Sequence, residues 1–179
     1  KFGNVRCVMK KIIVLYHSKT GFTQRYAEWI AEDLGCECRP IKGVKLEDLQ
    51  DYGFVIYGAG VYAGMIAGAG KIKNWMGKAS EKTWIVFATG ATPSKEGHEE
   101  LVFQTNFRKR ESRPAHFYYF LSGINYEKMG FFDRLLMRVF AEAASRRAGV
   151  DRATALTSVN RCSRDATAEL LRYVRLKAG

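Results

Sequence analysis

The chain has 179 residues, 47% of them hydrophobic, enough for one substantial core and, on length, one domain. Its 29 Lys and Arg outnumber 18 Asp and Glu to give a formal net charge of +11, which favours an anionic partner or surface. No apolar run approaches the roughly eighteen residues that span a bilayer, and the opening KFGNVRCVMKK lacks the apolar stretch of a secretory leader, so the expected location is the cytoplasm.

Met9 directly precedes Lys10, Lys11 and the first apolar run, so residues 1–8 read as an extension and 9–179 as a single domain. Cys7, Cys36, Cys38 and Cys162 have neither zinc-type spacing nor a C-x-x-C pair, and are expected to be reduced thiols without a chemical role.

In chain order, KKIIVLYH (10–17) is a β-branched run of the kind buried on both faces of a sheet. Phe22, Tyr26, Trp29, Ile30 and Leu34 then recur at helical spacing and stop at Gly35. A short second strand is expected over 36–41, and a third from Phe54, running into a glycine-rich loop. Residues 66–77 read as a helix weakened by Gly68 and Gly70, TWIVFATG (83–90) as a fourth strand, and 99–107 as a helix. HFYYFLSG (116–123) is the fifth strand, and the last helix is expected over 164–176. Strands alternating with helices at this spacing imply right-handed crossovers and a parallel α/β sheet covered on both faces.

The turn after the first strand reads Ser18-Lys19-Thr20-Gly21-Phe22-Thr23 and closes onto a helix N-terminus. Backbone N–H groups and the positive dipole end there suit a phosphate, with the hydroxyls of Ser18, Thr20 and Thr23 in reach. Ordinary helix capping uses the same residue types. This S-x-T-G-x-T pattern resembles the phosphate loop of flavodoxins. The resemblance implies a flavodoxin-like three-layer sandwich with strand order 2-1-3-4-5, and FMN at the switch point between the first and third strands. It further implies that the loop Gly58-Ala59-Gly60-Val61-Tyr62-Ala63-Gly64 covers one flavin face, with Tyr62 stacking. The loop Thr89-Gly90-Ala91-Thr92-Pro93 would then offer backbone groups to the pyrimidine edge.

Competing motifs fail on context. Gly58-Ala59-Gly60-Val61-Tyr62-Ala63 fits the dinucleotide pattern G-x-G-x-x-G/A, but Glu81, about twenty positions on, precedes the next strand where an acidic residue should end it. No Walker lysine motif is present. His17, His98 and His116 lie on different elements, so no metal and no proton-transfer residue is assigned; His17 is expected to border the phosphate loop.

Residues 131–147, FFDRLLMRVFAEAASRR, place apolar pairs at a four-residue period opposite Arg134, Arg138, Arg146 and Arg147. This predicts an inserted amphipathic helix that either packs on its own domain or lies on an anionic membrane or a partner. Ser122-Gly123-Ile124-Asn125-Tyr126 followed by Phe131-Phe132-Asp133-Arg134-Leu135-Leu136-Met137 resembles the corresponding segment of the menaquinone-dependent protoporphyrinogen dehydrogenase family; the stretch from Gly149 to Val159 departs from it. The resemblance implies an FMN oxidoreductase acting on a quinone or porphyrinogen-like substrate. The alternatives are a non-enzymatic electron carrier, against which the basic charge weighs, and a binding module with a degenerate pocket, against which the intact loop weighs. A redox partner or conjugated small substrate is expected, and specific nucleic-acid binding is not.

Overall fold

The computed structural model describes residues 10–92, 97–109, 113–124 and 158–178; the expected helix over 131–147 and the extension over 1–8 lie outside them. In order come β1 (Lys11–His17), α1 (Phe22–Leu34), β2 (Glu37–Pro40), β3 (Tyr52–Tyr62), β4 (Met65–Ile66), α2 (Ala69–Lys78) and β5 (Thr83–Gly90). There follow α3 (His98–Asn106), β6 (His116–Leu121), β7 (Gly123–Ile124), β8 (Val159–Asn160) and, after a 3-10 turn at Arg164–Thr167, α4 (Ala168–Ala178).

The principal sheet runs β2-β1-β3-β5-β6, every one of these pairs parallel, with β4 antiparallel to β3. This is the α/β order expected from the sequence, with β5 and β6 as fourth and fifth principal strands. Ile13, Val14 and Leu15 are all fully buried, because alternate side chains of a parallel strand enter opposite layers, both covered by helices. Val14, Ile56, Ile85 and Phe87 pack with Tyr26, Ala27 and Ile30 of α1 and Leu170 and Val174 of α4. Ile13, Leu15, Val55 and Val86 pack instead with Ile72, Trp75 and Met76 of α2 and Val102 of α3.

Two polar ties hold the C-terminal segment on the α1 face. The Arg164 guanidinium grips Asp33 with two hydrogen bonds of 3.1 and 2.8 Å and reaches Glu32 at 3.1 Å, while Arg175 donates to the Asp33 carbonyl at 2.8 Å. The Arg164 hydrogen bond holds the Asp33 carboxyl below its usual range. Buried Tyr26 donates to the Leu121 carbonyl at 2.7 Å and accepts from the Ser163 amide at 3.1 Å, joining the end of β6 to the returning chain. Burial pushes its phenol up to about 12, so the hydroxyl stays a donor at any physiological pH.

Two elements differ from the sequence reading. The glycine-rich stretch after Phe54 is not a loop up to Tyr62: β3 continues to that residue because β1 and β5 pair with it on both sides, through Ala59 and Gly60 respectively. Ile66 does not open a helix; it pairs with Val61 in a hairpin, and α2 starts at Ala69 after Gly68. Cys36 and Cys38 are half-buried, and burial pushes each thiol up to about 11, which keeps both protonated and weakly nucleophilic near neutral pH.

Gly58 carries the tightest packing in the sheet's core: a Cβ there would lie 1.9 Å from Cζ of the fully buried Phe87 ring. Gly58→Ala should therefore destabilise the protein by about 1–3 kcal/mol in urea unfolding, the usual cost of overpacking a filled core. Adding Phe87→Leu should recover part of that loss, which a purely conformational effect at Gly58 would not allow.

Candidate functional site

A cavity of about 330 Å³ opens at the carboxyl ends of β1, β3, β5 and β6. That is within the range of small-molecule sites, about 300–1,000 Å³, and lies at the switch point where the order reverses about β1. Its wall takes Thr20, Phe22 and Thr23 from the turn into α1, Gly60, Val61 and Tyr62 from β3, and Thr89, Gly90 and Ala91 from β5 and beyond. Thr92, Ser122 and Gly123 complete it. None of these side chains is acidic.

The turn into α1 leaves its helix N-terminus open. Gly21 precedes the helix at φ +92°, a left-handed conformation that favours glycine, and no side chain caps the first turn, which holds no acidic residue. Ser18 closes the turn from within, its Oγ accepting the Gly21 amide at 3.1 Å. Thr23 and Thr89, each only 4% exposed, join across the cavity wall through their hydroxyls at 2.7 Å. Thr89 is the register neighbour of Gly60 in β3, so the contact ties the first turn of α1 to the end of β5 beside that strand.

The β3–β4 hairpin forms the opposite lip. Its two-residue turn is Ala63-Gly64, both with positive φ, +48° and +81°, as a type I′ turn requires. Buried Asn106, at the end of α3, clamps the turn: its side chain donates to the Gly64 and Val102 carbonyls at 2.8 Å each and accepts the Ile66 amide at 2.9 Å. Tyr62 is 38% exposed, lies close over Gly60, and carries the Lys19 ammonium 4.7 Å from its ring centroid. The loop after β5 is strapped to β6, Tyr119 donating to the Thr92 carbonyl at 2.9 Å, and a Cβ at Gly90 would lie 2.2 Å from the Tyr119 hydroxyl.

The structure thus brings together nine of the residues singled out in sequence. Ser18, Lys19 and Gly21 shape the turn behind the wall, and Ala63 and Gly64 turn the hairpin. His17 goes elsewhere: it shares the parity of Ile13 and Leu15, and its Nδ1 comes within 4.0 Å of where a Gly68 Cβ would lie, on the α2 side of the sheet. Thr92 lies in the loop expected at the pyrimidine edge, whereas Ser122, Gly123 and the supporting Asn106 and Tyr119 were not anticipated. Ser122-Gly123, a small-residue pair at the end of a buried strand, was the available signal.

A family profile described as the flavodoxin domain matches residues 13–148. The chain belongs to the flavodoxin-domain family. Among solved structures, this flavodoxin-domain chain is similar to a flavoprotein from Bacteroides eggerthii at 20% identity and TM-score 0.45, covering 75% of this chain and 97% of that one. It is likewise similar to a flavoprotein from Lactobacillus acidophilus solved in complex with FMN, at 18% identity and TM-score 0.45, with 62% and 93% covered. A flavodoxin from the domain Archaea matches at 18% and 0.45, with 62% and 82% covered. No curated protein sequence matches the chain. Among the described residues, no cluster of His, Cys, Asp and Glu could hold a metal, and no helix is long and apolar enough to cross a membrane.

Asn106→Leu in this flavodoxin-domain protein would strand the Ile66 amide and the Gly64 carbonyl. At about 1–3 kcal/mol for each buried unpaired group, a loss of about 3 kcal/mol in unfolding free energy is expected. Hydrogen exchange at the Ile66 amide should speed up more than exchange in β1.

Proposed function

We propose that the cavity binds FMN and that the protein is an electron-transfer flavoprotein. The observation that carries this reading is the donor set: an uncapped α1 N-terminus flanked by Thr20 and Thr23, in a wall without carboxylates, continuous with a slot between Tyr62 and Thr89–Ala91. The phosphate belongs at the α1 turn, where amide N–H groups and hydroxyls supply hydrogen bonds and the helix dipole supplies a positive end. A flat ring would lie among Gly60, Val61, Thr89 and Gly90 of the wall, and Tyr62 offers it an aromatic face. When bound, FMN would supply one- or two-electron chemistry, which no side chain here provides. The residues bind it, orient it and shield its inner edge, while half-exposed Tyr62 marks the edge open to partners.

The finer reading is an oxidoreductase acting on a quinone or porphyrinogen-like substrate. Topology supports it: β7 and β8 pair antiparallel, and Arg161 donates its amide to the Ser122 carbonyl at 3.0 Å, so the chain leaves at 124 and returns at 159 beside the cavity. The sequence between these ends carries the basic amphipathic stretch over 131–147, whose proposed role is to meet an anionic membrane or a redox partner. A non-enzymatic carrier is the second reading; the net charge of +11 disfavours it, because a carrier of this family ordinarily meets basic partners with an acidic surface.

Purified protein should carry flavin absorbance and release FMN on denaturation; a colourless protein that apo-reconstitution with FMN leaves colourless would end the reading. Thr20→Ala should raise the FMN dissociation constant at least about tenfold, the worth of one charge-assisted hydrogen bond, and leave riboflavin binding nearly unchanged. Holoprotein should pass electrons from protoporphyrinogen to an added quinone over many turnovers, whereas a carrier would exchange electrons only with a protein partner.

A further inference from the structure

We propose that Thr89 is the positioning residue for phosphate recognition, its hydroxyl holding that of Thr23 so that the pair presents one fixed proton to the ligand. This rests on the FMN reading and names the element that would separate FMN from its unphosphorylated counterpart. The two hydroxyls are 2.7 Å apart and nearly sealed from solvent, so the bond between them is short and dry. Each hydroxyl has one proton and two acceptor sites. One proton is consumed between the partners. Among the described residues no second side-chain hydrogen bond engages either hydroxyl, and both residues line the cavity, so the second proton has the cavity to point into.

The arrangement suits a dianion for three reasons. A hydroxyl that accepts from a neighbour becomes a stronger donor, because hydrogen bonds in a chain polarise one another. Its rotor is already set, so little orientational entropy remains to be lost on binding. A phosphate oxygen can only accept, and therefore selects the state with the proton outward. A ribityl hydroxyl can donate or accept, and gains little from a fixed donor. Thr23 stands on the first turn of α1 and Thr89 near the end of β5, so each is held by its own element. Removing the Thr89 hydroxyl therefore leaves Thr23 in place but unoriented.

The test uses apoprotein and two probes, FMN and riboflavin, followed by quenching of flavin fluorescence. Thr89→Val keeps shape and removes the hydroxyl; it should raise the FMN dissociation constant about five- to tenfold and riboflavin's less than about twofold, the scale of one hydrogen bond. Thr89→Ser should restore the FMN-to-riboflavin preference. Thr23→Val should lower that preference, and the double variant Thr23→Val/Thr89→Val no further, since the two act as one unit. Equal weakening of both ligands by Thr89→Val, or losses that multiply in the double variant, would overturn the proposal. Should Thr89→Val fail to fold, Thr89→Ala carries the same readout. Wild-type protein that binds neither flavin removes the FMN reading itself; wild type that binds both equally keeps the flavin and removes phosphate recognition.

Discussion

β3 is bare of side chains at Gly58 and Gly60 on the face that α1 covers, and the cavity depends on that. Were β3 to carry a Cβ at Gly58, the Phe87 ring could not lie across it, and the α1 layer would lose the ring that joins Tyr26 through Phe120. One step further along the same face, Gly60 leaves the space beside which the Tyr62 ring lies at the cavity wall. A single strand thus supplies core packing at Gly58 and seats a wall side chain at Gly60. Its pairing with β1 ends at Ala59 and with β5 at Gly60, and the residues just beyond, up to Tyr62, form the floor of the site.

Around that floor, the mobile-looking parts of the sequence are held by specific polar ties. Asn106 spends its carbonyl oxygen and its amide protons on the β3–β4 turn and its own helix. Tyr119 reaches from β6 to the loop after β5, and Tyr26 binds the end of β6 to the start of the C-terminal segment. At Asn106 and Tyr26 buried or partly buried groups would be stranded if the loop moved, which costs more than the bond itself contributes. The wall is accordingly set before a ligand arrives, and less ordering entropy remains for binding to meet.

The strands and the anion turn were legible in the sequence because their signals are local: apolar runs of strand length, a helical period ending at Gly35, a hydroxyl-rich turn between them. The hairpin was not, because Gly58-Ala59-Gly60 carries loop-like composition and becomes strand only through neighbours on both sides. Ile66 was misplaced for the converse reason, an apolar residue near a helix whose start is fixed by Gly68 and not by hydrophobicity. His17 could have been placed by counting, since it shares parity with Ile13 and Leu15 and must point away from α1. Ser122 reaches the rim by bonding the Gly90 carbonyl and Gly123 by pairing with a strand from far along the chain, and the Thr23–Thr89 bond likewise joins residues no local pattern connects.

The β7–β8 ribbon makes the excursion it closes a module. Its two ends are fixed to each other and to Ser122, so the core experiences the same boundary whatever sequence runs between them. Lengthening a closed excursion costs little, since doubling its length adds only about 0.6 kcal/mol of closure entropy. A lineage can therefore exchange that stretch while the sheet, the turn into α1 and the Asn106 clamp stay as they are. The junction at Gly123 and Val159 is then the natural seam for grafting one excursion in place of another.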